Sequence, residues 1–368
     1  MFKFLLQDLS PITQGLIAMA TSAIICLLLG IPMRRLGVRL RIMDVPNRRS
    51  SHSTPIPRMG GVAIVLAMIF TMALLGKPNP ALLVAMAFGA LVSIISFIDD
   101  AVSLSSVLRL LVHLGAACVS IYLIRLHVTG FALPFVTISL PSWVGFGVAV
   151  LFVAGFVNFF NFMDGINGSA AMQGIVGGAT LSVLLALNGA GNSAMVAAAL
   201  VGGCIGFLPY NFPRAVMFLG DMGATTIGFT LAMMTLIGTR KYPWIACVLP
   251  LGLFIYDAVF TICKRLLRGE NVLNPHREFH FHLLIRCGWS HVRVTSLQVG
   301  LMLLCSAASL TYAWVDNSMV RLIVLLAVLA MLVTYSIFVH RYFARHEKKE
   351  EPHPAPTPVP EPADVAAP

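Results

Sequence analysis

The chain has 368 residues, of which 58% are hydrophobic and only 11% charged, with a mean hydropathy of +0.87. Soluble domains carry roughly 25% charged residues, so a water-soluble enzyme is excluded, an integral membrane protein is expected and no nucleic-acid partner is expected. The formal net charge of +10 reads as a topology signal and as contact with anionic lipid, with phosphate binding open to some of the arginines.

Eleven apolar runs of about 16 to 22 residues follow one another, near 13–33, 59–76, 81–98, 107–126, 142–160, 169–187, 194–212, 223–238, 244–263, 294–315 and 320–340. Each is long enough to cross a hydrocarbon core of about 30 Å as a helix. The expected fold is therefore an all-α polytopic membrane protein of about eleven spans. The first run follows Lys3 and contains Ala18-Met19-Ala20, as a cleaved signal would, but it continues to Pro32 and meets arginines, so a retained signal-anchor is expected.

Lys and Arg set the orientation. Connection 34–58 carries Arg34, Arg35, Arg39, Arg41, Arg48, Arg49 and Arg58, and connection 264–293 carries Lys264, Arg265, Arg268, Arg277, Arg286 and Arg293. With Arg214, Arg341, Arg345, Lys348 and Lys349, one side holds 18 basic residues and the other four, Lys3, Lys77, Arg240 and Lys241. The richer side is expected to be cytoplasmic, with the N-terminus outside and the C-terminus inside. Residues 1–345 read as the membrane domain, and the Pro-, Ala- and Glu-rich 346–368 as a disordered cytoplasmic tail. The seven cysteines form no C-x-x-C pair and read as reduced packing residues.

Acids are scarce, and they gather. Asp99 and Asp100 end the third span in "SFIDDAVSLSS", Asp164 follows the fifth in "NFFNFMDGINGS", Asp221 follows the seventh in "NFPRAVMFLGDMGAT", and "NPHREFHFHLLIR" follows the ninth. All come after odd-numbered spans, so the topology sends them to one cytoplasmic face. Singly, an acid at a helix end reads as a cap, a glycine as a turn and a His-rich loop as solvated. Together they suit Mg²⁺ (or Mn²⁺), which takes one or two carboxylates plus substrate phosphates. The glycine-flanked "LGDMGAT" opens a helix whose N–H groups suit an anion. The chemistry expected is metal-dependent reaction of a phosphorylated substrate at the cytoplasmic surface.

With "DVPNRRSSHSTPIPRMGG" (44–61), "FIDD" (97–100), "VNFFNFMDGINGSA" (157–170), "FLGDMGAT" (218–225) and "HREFHFHLL" (276–284) in this order, the chain resembles the polyprenyl-phosphate N-acetylhexosamine-1-phosphate transferases (glycosyltransferase family 4). The first motif looks most like the branch that initiates O-antigen or capsule units. The resemblance covers roughly residues 35 to 300. It implies transfer of a sugar 1-phosphate from a UDP-N-acetylhexosamine to undecaprenyl phosphate in a bacterial inner membrane, releasing UMP. It also implies that Asp221 binds the metal, with Asp99 and Asp100 beside the diphosphate and acceptor; Asp100 is a further metal candidate. Asn161, Asp164 and Asn167 would line the nucleotide pocket with Gly220, and Phe218 would pack on uracil. His52 and Arg58 would meet a phosphate, since the arginine fork suits one. His280 and His282 would donate to the diphosphate, with His276 and Arg277 as substitutes.

Two positions depart from the family pattern. Asn167 stands where D-G-x-D has an acid, which predicts altered nucleotide or sugar preference. Phe279 stands where many relatives have His. Zinc is a competing reading of the His cluster. A cation- or proton-coupled transporter is the competing reading of the whole, but it would bury its acids near the midplane, where only Asp257 falls. A muramyl-pentapeptide enzyme fits the "PNRRSSH" loop less well. Asp257 reads as an interhelical clamp or a support for the site. Arg109 is placed to snorkel to a phosphate, and His113 stays ambiguous. Gly174 and Gly178 could pack helices within one chain or in a homodimer.

Overall fold

In the computed structural model the structure describes residues 9–46, 54–76, 80–102, 105–271 and 276–347. His52 and the tail from 348 onward lie outside the described residues, as does the side chain of Asp100.

The first helix, α1 (Pro11–Arg39), starts where Ser10 accepts from Thr13 N–H, with Pro11 at the first helical position. A small antiparallel pair follows, β1 (Met43–Asp44) with β2 (Ile56–Pro57), Asp44 lying opposite Ile56. Then come α2 (Gly60–Leu75), α3 (Pro80–Val102) and α4 (Ser106–Leu123), the last capped by Ser105. A hairpin of β3 (Gly130–Ala132) and β4 (Thr137–Ser139) leads into α5 (Ser142–Met163), α6 (Ser169–Leu187), α7 (Gly191–Asn211) and α8 (Gly220–Gly238). The next stretch is α9 (Trp244–Val248), a 3₁₀ turn at Leu249–Leu251 and α10 (Gly252–Leu267). The short α11 (His280–Arg286) precedes α12 (His291–Trp314), capped by Ser290, and α13 (Ser318–His346), capped by Asn317.

Every apolar interval of the sequence falls on one of these helices. Among the described residues eight helical stretches, Trp244–Leu267 counted as one, are long and apolar enough to cross a membrane, where eleven crossings were expected; α2 and Val107–Leu123 are shorter apolar helices. The helix α8 belongs to neither group, and its position explains why. It is surrounded by α2, α3, α5, α6 and α7 and buried from Met222 to Leu236 on nearly every side, so its threonines and glycines face protein, where they pack closely or find partners. By contrast α1 and α13 turn leucines and isoleucines such as Leu28, Ile24, Ile323 and Leu329 outward, as helices facing lipid do.

The glycines of the first motif have a packing role. Gly60 and Gly61, at the start of α2, donate their N–H groups to the carbonyls of Phe218 and Leu219 at 2.9 and 2.8 Å, so the segment before α8 satisfies donors that a helix start leaves over. A Cβ on Gly61 would fall 2.2 Å from the backbone nitrogen of Gly223. The two backbones thus touch, which fixes the start of α8 and the acid it carries. Gly174 and Gly178 likewise meet Cys204 and Val201 of α7 within the same chain.

Candidate active site

Asp99 lies near the end of α3, Arg109 in the first turns of α4, and Asp221 in the first turn of α8. Arg109 Nη1 donates to Asp99 Oδ2 at 2.8 Å and to Asp221 Oδ2 at 3.1 Å. One guanidinium therefore joins two carboxylates from helices 122 positions apart in sequence. Asp221 sits at a helix N-terminus, where the dipole and free N–H groups favour negative charge, and Gly220 before it has φ +73, a left-handed turn that glycine adopts without strain. Below the acids, a ladder of hydroxyls ties α3 to α8. Thr225 Oγ1 lies 3.0 Å from Ser96 Oγ and 2.7 Å from the Asp221 carbonyl, and Ser93 Oγ lies 2.5 Å from Thr226 Oγ1. One turn farther along α4, His113 Nδ1 meets Asn158 Nδ2 at 3.2 Å, so this pair links α4 to α5.

Asp164 is the residue at which α5 ends, its N–H donating to Asn161 O. The turn beyond it is clamped from three sides. Asn167 N–H donates to His291 Nδ1 at 3.2 Å, its carbonyl accepts from Thr295 Oγ1 at 2.8 Å, and its Nδ2 donates to Pro213 O at 3.3 Å. Gly168, with φ +81, donates to Asn211 Oδ1 at 2.6 Å, and Asn211 Nδ2 returns a bond to Met217 O at 3.1 Å. The amide at 167 is thus used as a donor to a carbonyl, a role a carboxylate cannot fill. Asn211, Thr295 and His291 were not singled out by the sequence, because nothing in their own segments announces a turn more than 40 residues away.

The histidine loop separates into two parts. His280 was expected to donate to a diphosphate, and the structure corrects this. Its side chain is 0% exposed, and both ring nitrogens are engaged, Nδ1 with Asp257 Oδ1 at 2.6 Å and Nε2 with Ser336 Oγ at 2.7 Å. Asp257 is accordingly the interhelical clamp of the two readings. His282 does face the site. Its Nε2 would lie 3.4 Å from a Cβ placed on Gly165, and its Nδ1 is shut from solvent with no partner among the described residues. Burial pushes the His282 pKa down to about 3, against a smaller upward pull from Asp257, with Arg277 and His276 adding to the fall. The ring is neutral at pH 7 and offers one N–H. His276 is half-buried, stacks on Phe279 at 4.7 Å between ring centres and accepts from Glu278 N–H; its pKa is also lowered, chiefly by burial. Arg277 is half-buried beside it.

Arg58 is held by Asp44 at 2.6 Å in the small sheet, with a third of its side chain exposed. Phe218 is half-buried, and its N–H donates to Pro57 O at 2.9 Å. Arg265 and Arg268 are partly neutralised by Glu270 and Glu278, at 2.9 and 3.0 Å respectively. Among the described residues no group of three or more His, Cys, Asp or Glu side chains converges as a metal cage. Asp99 and Asp221 still fit a hard divalent cation, because both reach one cationic nitrogen and Mg²⁺ completes a two-carboxylate shell with phosphate and water.

Residues 82–239 match the family described as Glycosyl transferase family 4. The matched stretch holds Asp99, Arg109, Asp164, Asn167 and Asp221 and leaves α1, α2 and α9 to α13 outside. Over 281 residues the chain is 28% identical to the "Probable undecaprenyl-phosphate N-acetylglucosaminyl 1-phosphate transferase" of Bacillus subtilis, covering 75% of this chain and 78% of that one. It is 28% identical over 356 residues to the "Decaprenyl-phosphate N-acetylglucosaminephosphotransferase" of Mycobacterium tuberculosis, covering 85% and 86%. To the "Undecaprenyl-phosphate alpha-N-acetylglucosaminyl 1-phosphate transferase" of Escherichia coli it is 25% identical over 320 residues, covering 83% and 80%. The family model spans the acid cluster and the relatives align along most of the chain, so the chain is similar to the polyprenyl-phosphate N-acetylhexosamine-1-phosphate transferases.

Proposed function

We propose that this protein transfers N-acetylhexosamine 1-phosphate from a UDP-sugar to undecaprenyl phosphate at the cytoplasmic face of a bacterial inner membrane. UMP leaves, and the lipid-diphosphate sugar would start an O-antigen or related envelope glycan. The N-terminus lies outside and the C-terminus inside. The observation that carries this reading is the Asp99–Arg109–Asp221 cluster at the ends of three helices, with Arg109 and Asp221 partly exposed above a buried Asp99. Two acids and one arginine at a membrane boundary suit a reaction between two phosphorylated molecules, one of them anchored in lipid.

The chemistry is phosphoryl transfer. An oxygen of the acceptor phosphate forms a bond to the sugar-bearing phosphorus, and the bond from that phosphorus to the bridging oxygen breaks, its electron pair leaving with UMP. The acceptor is largely ionised near pH 7, since its second pKa is about 6, so positioning and charge neutralisation carry the catalysis. Arg109 is the resident cation and offers its fork to the phosphates. Asp221 and Asp99, joined by Asp100, would hold Mg²⁺ or Mn²⁺, which supplies further neutralisation of the diphosphate when bound. His282, neutral and facing the Asp164 turn, donates an N–H without adding charge, and Asn161, Asp164, Gly220 and Phe218 line the nucleotide side. His52, Arg58, His276 and Arg277 are candidates for outer phosphate contacts.

The names of the relatives favour UDP-N-acetylglucosamine as the first donor to test; the N-acetylfucosamine and N-acetylquinovosamine nucleotides come next. Purified protein in detergent is given undecaprenyl phosphate, a donor and Mg²⁺, and UMP release is followed. Release that requires the lipid and the metal and is lost in Asp221→Asn supports the reading. Silence with every donor, in the wild type and in Asn167→Asp, would overturn it.

A further inference from the structure

The helix α11 has seven residues, too few to be stable alone, so neighbouring groups must hold it. They form a buried polar chain. Asp257 of α10 presents Oδ1 both to the backbone N–H of His280 at 3.1 Å and to its ring Nδ1 at 2.6 Å. The first bond satisfies a donor at the start of α11, and the carboxylate faces the positive end of the helix. On the other edge of the ring, Ser336 Oγ of α13 lies 2.7 Å from Nε2, and the Tyr256 hydroxyl of α10 lies 2.9 Å from Ser336 Oγ. Because Oδ1 accepts the backbone N–H of His280, the same oxygen is the acceptor for the ring: Nδ1–H donates to it, and Nε2 accepts from Ser336, whose oxygen accepts from Tyr256. Asp257 and His280 are 1% and 0% exposed, so neither meets a substrate. Two residues along the helix, about 200° around its axis, His282 points the other way, to Gly165.

We propose that Asp257 and His280 are positioning residues: pinned to Ser336, they set the rotation of α11 so that His282 stands over the Asp164–Gly165 turn. The proposal rests on the transferase reading for its kinetic consequence but not for its structural one. The device links the matched family domain to α13, which lies wholly outside it. Asn at 257 keeps the shape but brings an amide N–H₂ or a weaker acceptor to a ring that needs a carboxylate, and α11 loses its fixed orientation.

The test is a double-variant cycle of Asp257→Asn with His282→Gln, read by UMP release, with hydrogen–deuterium exchange of the substrate-free proteins alongside. We expect Asp257→Asn to lower kcat roughly tenfold or more with KM for both substrates nearly unchanged. We expect the double variant to be no slower than His282→Gln alone, because nothing remains to be positioned. Exchange should rise over residues 277–288 and stay level over 158–170. Effects that multiply in the double variant, or unchanged exchange over 277–288, would overturn the proposal. If Asp257→Asn does not fold, Ser336→Ala removes the partner of Nε2 while keeping the carboxylate and carries the same cycle. A wild type that releases no UMP with any donor defeats the transferase reading. In that case exchange alone decides, with selective opening of 277–288 supporting the clamp and no opening removing it.

Discussion

Asp99 and Asp221 share one guanidinium where 29% of the Asp221 and Arg109 side chains stays open to solvent, whereas Asp257 shares one imidazole where neither side chain reaches water. Both clusters pair acid with nitrogen, and both sit at helix ends. The difference lies in what each can exchange. The partly exposed Arg109–Asp221 pair gains little net stability, since water competes for its charges, so this side of the cluster can open to phosphates or a cation at small cost, while Asp99, 5% exposed, anchors Arg109 from below. A buried pair is different, because removing one partner strands the other without solvation. The open cluster is therefore suited to turnover and the closed one to holding geometry.

Substitutions that break each cluster should separate activity from stability. The largest effect on rate is expected for Asp221→Asn: UMP release falls about 10²- to 10³-fold while the melting temperature in detergent barely moves. For Asp257→Ala the order reverses, with a loss of about 3 kcal/mol or more in folding stability, seen as a lower melting temperature before any assay begins. Arg109→Lys keeps the charge but not the fork, and should cost about tenfold in kcat/KM. Lysine that restored full activity would show that a point charge suffices there.

Acid should expose a third distinction. Burial holds His282 near pH 3 in the folded protein, while in the unfolded chain it takes up a proton near pH 6.5. The unfolded state binds more protons between those values, so the stability His282 permits is present above pH 6.5 and lost as pH falls toward 3. The slope is at most on the order of 1 kcal/mol per pH unit, and His282→Asn should flatten the melting temperature over that window. Asn167→Asp is expected to have the smallest effect. It replaces the donor to Pro213 O by an acceptor, at about 1 kcal/mol, and changes KM for the nucleotide sugar more than kcat.

Much of this was legible in the chain. The apolar runs marked the long helices, because length and hydropathy decide what crosses a bilayer, but not the short α11 or the 3₁₀ break inside 244–263. Of the acids expected together, Asp99 and Asp221 meet, through Arg109. Asp221 could be named because it opens a helix beside glycines. Three features were hidden. Hydropathy alone cannot tell a helix facing lipid from one buried in protein, so α8 read as a crossing on the same footing as α1. The partner of Asp221 is Arg109, 112 residues away, and no local pattern encodes so distant a pair. The two histidines of "FHFH" looked equivalent in sequence, but residues two apart on a helix point to nearly opposite sides, so only His282 can face the turn when His280 faces Asp257. The glycines at 60 and 61 carried no role of their own in the sequence and serve as the contact point of two backbones.

Ser336 belongs to a helix that the ribosome delivers after Asp99, Asp164, Asp221 and Asp257, so the buried clamp is the later of the two clusters to be completed. Synthesis is vectorial and earlier segments settle first. A chain that stopped before Ser318 would carry Asp99, Arg109, Asp164 and Asp221 into the bilayer, yet would lack the serine that grips His280. Such a fragment would hold the open cluster without the closed one.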